Sequence, residues 1–173
     1  MTTIFEIFLS SLNKYKNASK WENSYFEEMK KISNTHVGCV GQDFIEDLCL
    51  AYKIDIKFPE SNGKRLTQNS WDIKINGISF ELKTATEDTN GHFQFNHLRY
   101  HRDYDAALCL GISPNNLYFA IFSKADIATG KAGRLVSMEK AGNASYKLTK
   151  SPSQMFEIDL FPEKIIEFTK NLK

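Results

Sequence analysis

Two carboxylates and an ammonium, Asp72, Glu81 and Lys83, fall within one short stretch, SWDIKINGISFELKTA, residues 70–85. Asn76-Gly77 divides it into two alternating segments, and Asn-Gly is the strongest short-range signal for a two-residue type I′ hairpin turn. With those two residues as the loop, Ile75 faces Ile78, Ile73 faces Phe80 and Asp72 faces Glu81. Directly opposed residues bring their Cβ atoms to about 4.5–5.5 Å, so two such carboxylates repel unless something positive lies between them. Lys83 projects from the same face as Glu81 because the strand period is two. The opposite face, Trp71, Ile73, Ile75, Ile78, Phe80 and Leu82, is entirely apolar and is expected to seal a core. Mg²⁺ takes oxygen ligands, keeps several waters and binds through one or two carboxylates plus substrate phosphate. Paired carboxylates beside an ammonium therefore suit metal-assisted attack on phosphorus, with Lys83 orienting the water.

The elements that must position these groups follow from periodicity. Ile4, Phe5, Phe8, Leu9 and Leu12 predict an amphipathic helix over 3–13. Trp21, Tyr25, Met29 and Ile32 predict a second over 18–32, both for packing or subunit contact. Residues 41–52 carry the strongest helical pattern, with Phe44, Ile45, Leu48, Cys49 and Tyr52 on one stripe and Glu46 well off its centre. Taken alone, Glu46 reads as a solvated charge. Residues 54–58 alternate and start the sheet, and the polar segment 59–69 is a loop. Residues 93–100 read either as a short strand or as the start of a helix. The apolar run 105–112 predicts a central strand covered on both faces. A turn at Pro114-Asn115-Asn116 leads to a further strand over 117–122. An edge strand is expected over 155–160 and a closing amphipathic helix over 163–172.

Composition narrows the field. The chain has 173 residues, 42% hydrophobic and 25% charged, consistent with one soluble domain spanning 1–173. A net charge of +1 advertises no polyanion, so any nucleic-acid binding must come from a local basic patch. Cys39, Cys49 and Cys109 lack C-x-x-C spacing and are expected as reduced, buried thiols in the cytoplasm. The first residues lack a basic leader, no apolar run approaches bilayer length, and neither a signal peptide nor a membrane span is expected. Residues 124–150 hold six basic residues against Asp126 and Glu139. With Gly130, Gly133 and Gly142 they read as long loops with one short helix or strand, either solvated or in contact with DNA. His97 and His101 have zinc-like spacing but lack a second ligand pair.

The D-x8-E-x-K pattern, with Glu46 on a helix upstream, resembles the PD-(D/E)XK nuclease superfamily, the fold of many restriction endonucleases. Trp71 stands where the motif's name has Pro. The resemblance implies an α/β fold (α+β, mixed sheet) with an αβββαβ core over roughly 39–122. A helical extension (1–35) would precede it, a basic region and closing helix (124–173) would follow, and the helix after the hairpin would fall within 93–103. It further implies Mg²⁺ held by Asp72, Glu81 and the Leu82 carbonyl, with Glu46 orienting Lys83 or touching a second ion. The implied activity is that of a homodimeric type II restriction enzyme cutting double-stranded DNA to 5′-phosphate and 3′-hydroxyl ends. A structure-selective repair or recombination nuclease of the same fold, and a non-catalytic DNA-binding or subunit module, are the rivals. Gln94, His97, Arg99, Lys131, Arg134, Lys140, Asn143, Tyr146 and Lys147 are the candidate DNA contacts.

Overall fold

Asn76 and Gly77 both adopt left-handed backbone angles, φ 49° and 86°, as a type I′ turn requires. The hairpin they close belongs to a computed structural model that describes residues 3–13, 19–66, 69–99, 101–138 and 145–172. Its helices are α1 (Ile4–Asn13), α2 (Asn34–Ala51), α3 (Lys124–Ala128) and α4 (Phe161–Asn171). Its strands are β1 (Ile56–Lys57), β2 (Glu60–Ser61), β3 (Lys64–Arg65), β4 (Ile73–Ile75), β5 (Ile78–Thr86), β6 (Phe93–Leu98), β7 (Ala106–Ile112), β8 (Leu117–Ser123), β9 (Leu135–Ser137), β10 (Tyr146–Lys150) and β11 (Phe156–Glu157).

These strands build a mixed six-stranded sheet in the order β1-β4-β5-β7-β8-β11, with β5 and β7 parallel and the other neighbours antiparallel. A second sheet, β6-β10-β9, is three-stranded. The result is the mixed α+β architecture expected from the sequence. Helices α2 and α4 cover one face of the larger sheet, where Ile45, Cys49, Phe161 and Ile165 pack with Ile73, Ile75, Phe80 and Leu82. The smaller sheet covers the other, through Phe93, Phe95 and Leu148 against Ala85 and Cys109. Every residue of β7 is buried, as a strand between two layers must be.

Helix α2 begins earlier than its apolar stripe suggests, because the Ser33 side chain accepts the His36 N–H and caps it. Gly41 then lets the helix touch β5: a Cβ there would stand 1.9 Å from Thr84 Oγ1. The turn between β4 and β5 is tied to its surroundings, Asn76 N–H donating to the Asp55 carbonyl and Asn76 Nδ2 to Thr169 Oγ1 on α4.

Four expectations need correction. The parallel β5–β7 pair is linked through β6, a strand, and no helix lies between β5 and β7 among the described residues. Phe93, Phe95 and Leu98 are fully buried against the larger sheet while Gln94 and Asn96 are exposed, so a nearly period-two pattern wins. Residues 19–32 form turns and a short 3₁₀ segment (Glu27–Lys30) rather than an α-helix. There Trp21 is drawn into the core against Leu110 and Ile112, and the Phe26 N–H leaves the helical pattern for the Pro114 carbonyl. Cys39 is exposed, whereas Cys49 and Cys109 are buried thiols whose pKa burial pushes up to about 12. Residues 124–150 carry more regular structure than long loops with one short helix or strand: they include α3, β9 and β10, and Lys150 is buried with its ammonium 5.0 Å from the Phe122 ring. Helix α1 forms as expected, but its Ile4, Phe5 and Phe8 stand exposed. No helix among the described residues is long and apolar enough to cross a membrane.

Candidate active site between the two sheets

The β4–β5 ladder holds for Ile75–Ile78, Lys74–Ser79 and Ile73–Phe80, as the turn dictates. It then stops one residue short of an Asp72–Glu81 pair. Instead, the Asp72 N–H donates to the Phe80 carbonyl at 2.8 Å, and Asp72 Oδ2 accepts the Leu82 N–H at 2.7 Å. A side-chain oxygen thus takes the place of a ladder carbonyl, and the offset is that of a β-bulge. A one-residue slip reverses the faces. Trp71 accordingly leaves the Ile73–Leu82 face and packs with the cluster of Leu98, Tyr104 and Ala107 on the other side of the sheet. That is the face carrying Glu81 and Lys83, whose β7 neighbours in register are Ala107 and Cys109.

Glu81 is 1% exposed. Lys83 Nζ stands 2.7 Å from Oε1, yet among the described residues neither carboxylate oxygen makes a hydrogen bond. The ammonium is nonetheless a close ion-pair partner that offsets part of the cost of burying the carboxylate. Burial raises the Glu81 pKa above the usual carboxylate range. The Lys83 charge works against that rise, the Asp72 carboxylate adds to it, and the Arg102 guanidinium pulls down more weakly. Lys83, Asp72 and Arg102 therefore all bear on Glu81. Arg102 is fixed by donating Nη1 to the Asn69 carbonyl at 3.1 Å.

The donor set suits a hard cation in kind. Two buried carboxylate oxygens without hydrogen bonds are what an oxygen-seeking ion would satisfy. Leu82 directs its N–H to Asp72, and the amide and carbonyl of one strand residue point to the same edge, so its carbonyl lies on that side too. Asp72, Glu81 and the Leu82 carbonyl could therefore hold Mg²⁺, with water and phosphate completing its shell. No group of three or more His, Cys, Asp or Glu side chains is placed to hold a metal among the described residues.

The remaining sequence-derived candidates scatter. Glu46 is bound to Arg65 of β3 at 3.0 Å. Gln94 donates to Asp88 Oδ2 at 2.8 Å, and His97 sits with φ 57° at an irregularity in the β6–β10 pairing, its Nδ1 3.3 Å from Ser145 Oγ. Both line a cleft of about 400 Å³ with Lys30, Asn34 and Asn96, at the far end of β5. Arg99 follows β6 and is half-buried, and Arg134 is exposed ahead of β9. Lys131 is exposed and paired with Asp126 at 3.2 Å. Tyr146 and Lys147 are half-buried ladder residues of β10. Lys140 and Asn143 lie outside the described residues. Sequence reasoning did not single out Tyr104, which precedes β7, is 2% exposed and feels the charges of Glu81 and Asp72. Only the parallel pairing of β5 with β7 brings it there.

No family model matches the chain, and no curated protein matches it. Among solved structures, a bacterial homing endonuclease, I-Ssp6803I, aligns with a TM-score of 0.40 and 14% sequence identity, over 56% of this chain and 72% of that chain.

Proposed function

We propose that the chain is a Mg²⁺-dependent endonuclease of PD-(D/E)XK type that hydrolyses phosphodiester bonds of double-stranded DNA at Asp72, Glu81 and Lys83. The observation that carries this reading is Glu81: a buried carboxylate with no hydrogen bond, an ammonium at 2.7 Å and a second carboxylate acting on it. A fold keeps such a group at a cost in stability unless a ligand uses it. Asp72 and Glu81, with the Leu82 carbonyl, would hold the ion. When bound, the ion supplies a polarised water and neutralises charge on the phosphate. Lys83 orients that water in line with the scissile bond and stabilises the charge that develops on the phosphate oxygens. Water oxygen adds to phosphorus, the 3′ oxygen departs and takes up a proton, and the ends are 5′-phosphate and 3′-hydroxyl. Glu46 pairs with Arg65, and orienting Lys83 or touching a second ion would require that pair to open.

The near-neutral net charge disfavours a non-specific nuclease, because phosphate contacts supply most sequence-independent affinity. A type II restriction enzyme acting as a homodimer on a palindromic site fits better. Digestion of a sequenced viral genome with Mg²⁺, with the fragment ends read, tests this. Discrete fragments with 5′-phosphate ends support it, junction-dependent cutting would favour a repair nuclease, and intact DNA would remove the assignment. A non-catalytic DNA-binding module is the second reading, favoured by the depth at which Glu81 lies beneath the smaller sheet. Calorimetry that detects no divalent-ion binding would favour it.

A further inference from the structure

Among the described residues, five buried side-chain polar atoms have no hydrogen-bond partner, and three belong to Glu81 and Tyr104. Orphans of this kind are rare in folded proteins and each one asks for an explanation. These two are chemically complementary, since a phenol donates and a carboxylate accepts. They also lie on the same side of the larger sheet: Tyr104 shares a buried cluster with Ala107, whose register partner on β5 is Glu81. The ring is well fixed. It packs among Leu98, Ala107, Ile127 and Ala132, with Lys124 Nζ 5.5 Å from its centre, and the Tyr104 N–H donates to the Arg102 carbonyl. β7 begins two residues later, with its Ala107 in register with Glu81. Phenylalanine would fill the same apolar cluster without burying an unpaired hydroxyl, so packing does not account for tyrosine.

We propose that Tyr104 is a positioning residue of the site. Its hydroxyl donates to one Glu81 oxygen through one buried water, while the other oxygen is left to a divalent cation. The inference rests on reading Asp72 and Glu81 as cation ligands. Its content is that the ligand carboxylate is oriented by a neutral donor, as bound carboxylates commonly are. Such a partner raises cation affinity by reducing the motion the carboxylate must lose on binding.

The test is calorimetric titration of Mg²⁺ into DNA-free wild type, Tyr104→Phe and Glu81→Gln, alongside thermal melts of the ion-free proteins. Loss of binding in Glu81→Gln, about tenfold weaker binding in Tyr104→Phe, and an ion-free melting temperature for Tyr104→Phe no lower than wild type are expected. Wild-type affinity in Tyr104→Phe, with binding lost in Glu81→Gln, overturns the role of Tyr104 and leaves the cation site standing. A Tyr104→Phe protein that melts well below wild type without the ion also overturns it, since the hydroxyl would then serve the fold. Absence of Mg²⁺ binding by wild type overturns both this inference and the proposed function.

Discussion

Two carboxylates beside strand β5 are treated in opposite ways. Asp105, just ahead of β7, is fully used: its Oδ2 accepts the Ser79 N–H at 2.8 Å and the Ser79 hydroxyl at 2.6 Å, and its own N–H donates to the Ser79 carbonyl at 3.0 Å. Glu81, two residues beyond Ser79 on β5, is buried where Asp105 is exposed, and makes no hydrogen bond. Asp105 clips the parallel strands together at their start, so its charge is consumed by the fold. Glu81 is paired with the Lys83 ammonium at 2.7 Å but makes no hydrogen bond that joins the strands. Within one strand pair, one acid is consumed by the fold, and the proposed chemistry is assigned to the other.

Substitutions on the two sides should separate cleanly. The largest expected effect is on the Glu81 side, where Lys83→Ala or Asp72→Ala should lower DNA cleavage by about 100-fold or more with little change in circular dichroism. Equal cutting by these variants would break the contrast. Gly41→Ala should destabilise by about 2 kcal/mol in urea unfolding, because the new methyl group would drive into Thr84 and push α2 off β5. Asp105→Ala should cost about 1–2 kcal/mol by the same measurement while cleavage per folded molecule stays near wild type. A large loss of turnover there would place Asp105 in the chemistry after all.

The smallest effect is on pH dependence and has a definite sign. Burial holds the folded-state pKa of Glu81 above its unfolded value, with Lys83 partly offsetting the shift. The folded protein then binds this proton more tightly than the unfolded chain does. Its contribution to stability is greatest below the unfolded value and is lost as pH rises through the folded one. Denaturation midpoints should therefore fall with rising pH across that window in wild type, and Glu81→Gln should lack this fall. A Glu81→Gln profile parallel to wild type would mean that Lys83 compensates the buried charge in full.

Much of this arrangement could be read from local pattern. Asn76-Gly77 announces its turn because both residues tolerate positive φ, and the three ladder pairs above it follow directly. The buried run of β7 and the apolar face shared by Ile73, Ile75, Phe80 and Leu82 are equally local. What escaped the sequence depends on partners far along the chain. Asp72 slips its register because the Leu82 amide offers its side chain a better bond, and the slip carries Trp71 across the sheet. Trp21, Tyr25 and Met29 have helical spacing, but Trp21 buries itself against β7 and the helix is lost. In β6 the alternation breaks at Asn96 and His97, where the pairing with β10 is irregular, so the strand resembles a helix start when read alone. Tyr104 gave no signal because its neighbour Glu81 is reached only across a parallel strand pair.

Supercoiled plasmid incubated with Mg²⁺ and either wild type or Glu81→Gln tests the central claim most directly. Wild type should linearise or fragment the DNA while the variant, equally folded, leaves it supercoiled. Intact plasmid with both proteins, or the same cutting by both, would contradict the assignment of a catalytic centre to this hairpin.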